Sequence, residues 1–292
     1  MFEERLNEYN QEHCWQYDIR LKNRKEDLLE SNLTEEYVSN LRVPDFQFKV
    51  ITDKEERQNL KRFIERHEWL GTLSQYTTHW FACYHNDIIA GVILFNMPNA
   101  FSKTLGDNTK ELERLISRGA CISWSPKNLA SSFLMWSIKW MVNNTQYRLF
   151  TAYSDPTAKE LGTIYQACNF YYMGQTAGTT KRYINPYTGK IVSDRYFRQK
   201  TAYKKFAKEL NIKWESNWNH PTGMSWENIP DDIEKQLRDY SKYKQSTSEK
   251  ISMPSKHKYA YVLGRNKTET KQLKKIYEER NKIYTYPKLR GN

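Results

Sequence analysis

Asp155 closes the run Ala152-Tyr153-Ser154-Asp155-Pro156, and Tyr165 lies just beyond it in Gly162-Thr163-Ile164-Tyr165-Gln166-Ala167-Cys168-Asn169-Phe170. An apolar strand over 149–153 ends in this polar turn and a helix follows, which puts the carboxylate at a strand's carboxyl end. In open α/β sheets ligands bind beside those ends. A carboxylate and a phenol there can orient a substrate or move a proton. Ordinary structure explains the same residues too: Asp before Pro commonly caps a turn, and a helical Tyr commonly packs in a core.

Four other groups carry chemistry. In Glu111-Leu112-Glu113-Arg114-Leu115 a strand would put Arg114 on the face of Leu112, and an inward guanidinium needs an anion such as Asp155 or a substrate. The turn Ser125-Pro126-Lys127-Asn128-Leu129-Ala130-Ser131-Ser132 stands between a strand and a helix, where free N–H groups can bind a phosphate. Capping by Ser125 or Asn128 explains it equally, and without glycine it is neither a P-loop nor a dinucleotide turn. His67 sits in His67-Glu68-Trp69-Leu70-Gly71; with His79 and His85 it offers only weak support for a metal, and no zinc spacing occurs. Finally, Arg195, Arg198, Lys204, Lys205, Lys256 and Lys258 alternate with aromatic rings. That texture suits nucleic acid, although rings buried beneath lysine stems would look the same.

The elements that must position these residues follow from periodicity. Residues 1–45 read as mostly helical, with Pro44 as a stop. A strand at 46–51 leads into a helix over 53–68. Strands at 79–85 and 88–95 join through Asn86-Asp87 as a hairpin. Then come a strand over 111–122 bent near Arg118-Gly119, a helix over 129–143, the strand to Tyr153, a helix over 157–168 and a strand over 171–175. This order predicts an α/β (α+β) fold, a mixed central sheet flanked by helices. The remainder reads as basic helices at 195–210 and 268–280, a helix near 231–243 and a short strand at 259–263. The expected segments are 1–45 (helical), 46–190 (catalytic) and 191–292 (a basic extension that binds nucleic acid).

The 292 residues carry a net charge of +12. From Thr176 onward there are 26 Lys+Arg against 12 Asp+Glu, so the excess belongs wholly to the carboxyl-terminal part. A polyanion partner is the usual reason, and a merely solvated basic surface is the plainer one. No apolar run approaches the roughly 20 residues of a membrane span, and the amino terminus lacks a signal-peptide layout. Four scattered cysteines complete the expectation of a cytoplasmic protein with reduced thiols.

The stretches Glu111-Leu-Glu-Arg114-Leu, Tyr153-Ser-Asp155-Pro and Gly162-Thr-Ile-Tyr165 resemble the Mom-like family of bacteriophage DNA modification proteins. The resemblance spans roughly residues 45–190 and is strongest at 150–175. It implies a fold like the GCN5-related N-acyltransferases (GNAT) and conversion of DNA adenine to an N6-carbamoylmethyl form that escapes host restriction. By position it assigns catalytic roles to Arg114, Asp155 and Tyr165. The family's His falls on His67, although Glu68 stands next where the family has an aromatic. It also implies an acyl-coenzyme-A-like donor held by Ser125, Lys127, Asn128, Ala130, Ser131 and Ser132, with DNA as partner. Two other functions fit the residues: an acetyl-coenzyme-A N-acetyltransferase for a protein, RNA or small amine, and a non-catalytic DNA-binding or virion protein.

Overall fold

A computed structural model describes residues 13–73, 76–98, 101–175, 180–221 and 223–287; the expected helical segment 1–45 therefore lies partly outside it. The chain divides into two compact units, Met1–Ala177 with Ser255–Asn292, and Gly178–Pro254. The second is thus an insertion in the first. These limits differ from the expected segments, because the strand expected in the basic extension belongs to the main sheet.

In the first unit, α1 (Trp15–Ser31) ends at Asn32, whose left-handed backbone (φ 52°) returns its N–H to the Leu28 and Leu29 carbonyls. Thr34 then caps α2 (Glu35–Asn40) by accepting from the Tyr37 N–H. Strand β1 (Gln47–Val50) precedes α3 (Lys54–His67), which starts where the Asp53 carboxylate accepts from the Glu56 N–H at 2.8 Å. The hairpin β2 (Thr77–His85) and β3 (Ile88–Asn96) turns at Asn86, with φ 53°. After β4 (Glu113–Cys121), helix α4 (Leu129–Asn144) provides the crossover that a parallel neighbour requires, and β5 (Leu149–Ser154) is that neighbour. The helix expected over 157–168 is shorter. Lys159 and Gly162 adopt left-handed conformations, leaving a single 3-10 turn and then α5 (Thr163–Ala167). Strand β6 (Tyr171–Gln175) follows.

The second unit has its own core. Strands β7 (Thr180–Ile184), β8 (Ile191–Val192) and β11 (Lys250–Met253) make a three-stranded sheet, and β9 (Asn219–His220) and β10 (Gly223–Met224) a small hairpin. Helices α6 (Lys200–Glu209) and α7 (Asp231–Thr247) bury Phe197, Phe206 and Leu237. The chain then returns to the first unit with β12 (His257–Val262) and α8 (Lys267–Arg280).

The main sheet has the order β1-β2-β3-β4-β5-β12-β6, antiparallel except for β4–β5. This is the mixed sheet the element order predicts, with β12 as an inner strand rather than part of a detachable tail. Its core includes Phe81, Phe95, Phe133 and Phe150, all fully buried. Phe95 meets Phe81 and Phe150 edge-on at 5.5 and 5.9 Å. Each such ring contributes about 1.5–3 kcal/mol by leaving water. No described helix is long and apolar enough to cross a membrane.

One irregularity decides where two arginines go. Phe95 pairs with Ile116 but Leu94 pairs with Arg118, so Ser117 is an extra residue in β4. Its hydroxyl bonds the Leu94 carbonyl at 3.0 Å and Asn96 Oδ1 at 2.9 Å. Strict alternation would put Arg114 and Arg118 on one face. The bulge sends Arg118 to the other.

Candidate active site

β4 and β5 pair in parallel only from Glu113 opposite Leu149 to Ile116 opposite Ala152. Beyond that point they part. Arg118–Cys121 stay paired with β3, while Tyr153 and Ser154 pair with Lys258 and His257 of β12. A cavity of about 400 Å³ opens at this fork, within the range of small-molecule sites. Its walls are β4 from Ile116 to Cys121, the β5 end from Tyr153 to Asp155, and the turn and α5 from Lys159 to Tyr165. Residues of α1, the stretch Glu68–Leu70, Ile93, two residues of α4 (Ala130 and Leu134) and Lys256 also line it.

Three carboxylates converge there. Asp155 caps its own turn, one oxygen accepting from the Thr157 N–H at 3.0 Å and the other lying 3.1 Å from Lys256 Nζ. Glu160 accepts from the Asp155 N–H at 3.2 Å. Glu68 accepts from the Gly71 N–H at 2.7 Å and stands 3.8 Å from Arg118 Nε. Burial pushes the Glu160 carboxyl up to about 7, and the negative charges of Glu68 and Asp155 add to the effect. A carboxyl that exchanges a proton near neutrality is suited to general acid–base work.

Tyr165 lines the same cavity. Its phenol is held well above its ordinary value, first by burial and then by Glu160 and Glu68, so it stays protonated. The ring packs 5.3 Å from both Phe170 and Tyr259. Tyr259 in turn donates to the Leu161 carbonyl and accepts from Gln166 at 3.2 Å, anchoring the turn. Gly162 is required at this contact: its φ is +68°, and a Cβ would collide with the Tyr259 ring.

Of the residues expected to act, the fork thus brings together Asp155 and Tyr165. Arg114 does not line the cavity, and the expected contact with Asp155 is corrected. Its guanidinium lies 3.7 Å from the Tyr147 ring centroid and donates to the Tyr147 hydroxyl and, at 2.7 Å, to the Glu113 carbonyl. Burial lowers its pKa. Arg118 is the arginine at the cavity, held by the Thr72 and Ser117 carbonyls at 2.6 Å each. His67 also lies outside the cavity lining. It is buried at the end of α3, its ring 4.3 Å from Phe63 and its Nδ1 3.7 Å from Asp27, and burial keeps its pKa low. His79 and His85 are apart from it: His79 packs on Tyr147, and His85 Nδ1 lies 3.0 Å from the Asp45 carbonyl. Among the described residues no group of three His, Cys, Asp or Glu is placed to hold a metal ion.

In the turn before α4, only Ala130 of the six expected residues lines the cavity. Arg20 of α1, also at the cavity, donates to the Ser125 hydroxyl at 3.2 Å and to the Ser123 carbonyl at 3.1 Å. Asn128 starts the helix from a left-handed backbone, and the Ser131 hydroxyl bonds its carbonyl at 3.1 Å. Lys127 and Ser132 take no part in the lining. The expected nucleic-acid residues separate. Arg195 and Arg198 are exposed in the second unit, where Lys204 and Lys205 sit over the Trp214 and Tyr187 rings at 5.5 and 4.6 Å. Lys256 is at the fork, and Lys258 lies within β12, where burial lowers its pKa and Glu113 opposes that shift.

Sequence reasoning missed Glu160, Glu68 and Arg118. Glu160 had one signal, a carboxylate in the same short turn as Asp155. For Arg118 the signal was the bend expected near Arg118-Gly119, but only pairing with β3 shows that it is a bulge at Ser117 that turns the side chain to the other face.

The profile of the Mom protein family matches residues 45–220, and the chain belongs to that family. No curated protein matches. Solved structures with some likeness include an acetyltransferase of Bacillus subtilis in complex with CoA, at 9% identity and TM-score 0.33, covering 75% of this chain and 99% of that one. Aminoglycoside acetyltransferase AAC(6')-Ib in complex with coenzyme A is 14% identical with TM-score 0.36, covering 45% and 87%. A GNAT family acetyltransferase from Elizabethkingia anophelis with acetyl-CoA bound is 9% identical with TM-score 0.32, covering 75% and 99%. At these scores the likeness carries no weight on donor or acceptor.

Proposed function

We propose that this member of the Mom protein family is a transferase that modifies the N6 amine of adenine in phage DNA, shielding it from host restriction in the bacterial cytoplasm. The observation that supports the reading best is the convergence of Asp155, Glu160 and Tyr165 at the β4–β5 fork. The amine of adenine is conjugated with the purine ring and is a poor nucleophile, so it needs close positioning and a base. Glu160 takes the proton that N6 sheds as the new N–C bond forms. Asp155, fixed by Thr157 and Lys256, orients the amine. Tyr165, kept protonated by its surroundings, donates to the group that leaves. The adenine must first leave the duplex stack, and Trp69 and Tyr153 at the cavity give it aromatic faces to rest on.

The fork also fits an extended acyl-coenzyme-A-like donor. Beyond Ile116 the β5-facing edge of β4 has no strand partner among the described residues, so its backbone amides can meet an amide-containing arm. Arg20 and Ala130 at the start of α4 would face the donor's anionic end. Such a donor supplies the group that becomes attached to N6.

The test is mass spectrometry of nucleosides from DNA of cells producing the wild type, Asp155→Ala, Tyr165→Phe or Glu160→Gln. Modified adenine should appear with the wild type and fall steeply in each variant. Unmodified adenine with the wild type, together with turnover of acetyl-coenzyme A on a small amine or peptide, replaces this reading with the N-acetyltransferase one.

A further inference from the structure

A second concavity, of about 790 Å³, lies between α4 and α8 and shares no lining residue with the fork. Six cations line it: Lys139 of α4, Arg265 before α8, and Lys267, Lys271, Lys274 and Lys275 of α8. The four α8 lysines fall at spacings of four, three and one, so they form one stripe along the helix. Leu273 and Tyr277 on the other side pack with Val262 and Leu149, which fixes the stripe outward. Arg148 holds Glu269 at 2.7 Å, and Asn281 donates to the Thr104 carbonyl at 2.8 Å, so both ends of α8 are tied down.

Among the described residues three carboxylates of α8 offset part of this charge, and Glu269, which accepts from the Arg265 N–H at 2.6 Å, is one of them. Among the described residues Glu278 is the one carboxylate lining the groove, and it accepts from the Tyr171 hydroxyl at 2.5 Å. Lys275 lies 3.8 Å from Glu279 in an exposed pair, the kind that is worth little. Lys274 stands 6.0 Å over the Tyr171 ring. The sequence points the same way: residues 255–292 hold 11 Lys+Arg against 3 Asp+Glu, whereas 178–254 hold 15 against 9. The cationic excess is thus densest in the segment that returns to the first unit, not in the insertion.

We infer that this groove docks the phosphate backbone of duplex DNA; the choice of DNA rests on the function proposed above. From Lys267 to Lys275 the stripe runs about 12 Å. That is long enough to meet several phosphates of one strand, which rise about 3.4 Å each along the duplex. Each contact releases condensed counterions, so binding here is strong at low salt and sequence-independent. Docking away from the fork would hold the duplex while one base reaches the cavity.

The test is fluorescence anisotropy with a short labelled DNA duplex and the full-length protein over a range of salt. The triple variants Lys139→Glu/Lys271→Glu/Lys274→Glu and Lys139→Gln/Lys271→Gln/Lys274→Gln are compared with wild type after circular dichroism confirms folding. The glutamate variant should bind at least 100-fold more weakly, and the glutamine variant should make the log K against log salt slope shallower by about 2 to 3. Unchanged affinity and slope in both folded variants overturns the proposal, as does tighter groove-dependent binding of an RNA duplex of the same sequence. Modified adenine in cellular DNA alongside unchanged binding removes the groove alone. Unmodified adenine alongside groove-dependent DNA binding removes the base-modification reading and leaves the groove.

Discussion

The two halves of β4 carry an arginine each and treat it differently. In the half zipped to β5, Arg114 lies against Tyr147, and Glu113 is bonded by Ser102 and Thr151. The guanidinium's terminal nitrogens and the Glu113 carboxylate are held there by local hydrogen bonds, although among the described residues Arg114 Nε is buried without one. In the half that parts from β5, Arg118 is anchored mainly by carbonyls, three carboxylates crowd together, and one of them titrates near neutrality. The zipped half binds its charge into the sheet, whereas at the fork the charges face a cavity.

The sharpest way to break this contrast is Glu160→Gln. It should lower the modification rate per folded molecule by about 10²–10⁴. In the wild type the rate should climb as pH rises through about 7 and level off above, since the base must be unprotonated; a flat profile there would count against Glu160. The same group has a stability signature. Its folded pKa lies above its unfolded one, so wild-type stability falls as pH rises from the ordinary carboxylate range to about 7. Urea denaturation should show the glutamine variant more stable at alkaline pH, by up to about 3 kcal/mol, with no gain in acid.

A smaller effect tests whether the fork's wall is as rigid as its contacts imply. Gly162→Ala forces a Cβ into Tyr259 from a left-handed backbone and should cost about 2 kcal/mol or more, read as a lowered Tm. The mildest pair compares the arginines directly. Arg114→Met should lower Tm by the few degrees that about 1–3 kcal/mol implies, with the rate per folded molecule unchanged. Arg118→Met should lower Tm by a similar amount, since its carbonyl partners and Glu68 lose a donor, and in addition reduce the rate per folded molecule about tenfold. The opposite pattern would erase the distinction between the two halves.

Much of the first unit was legible because its elements are locally encoded. The helix over 129–143 is found at 129–144, and the strand over 171–175 is found unchanged. Capping by Asp53 and the Asn86 turn also sit where residue type demands them. What stayed hidden depends on partners far away in the chain. The Ser117 bulge exists only in register with Leu94 and Phe95, and without it Arg118 reads as a companion of Arg114. The place of β12 between β5 and β6 could not be seen from a short basic-aromatic strand. Asp155 and Tyr165 were visible through their motif, whereas the burial that tunes Glu160 is a tertiary property.

The position of β12 has a consequence for how the protein comes into being. Chains leave the ribosome amino end first, and early segments begin to fold while later ones are still being made. Here β5 and β6 emerge early, but the strand that joins them arrives only after the whole of 178–254. Until then each presents an open edge, the condition that invites mispairing between nascent chains. The insertion, with its own core, can fold during that wait. Lys256 reaches Asp155 in the same late event. A chain that lacks β12 is therefore an unfinished sheet, and the fork takes shape only once the strand that follows the insertion has been made.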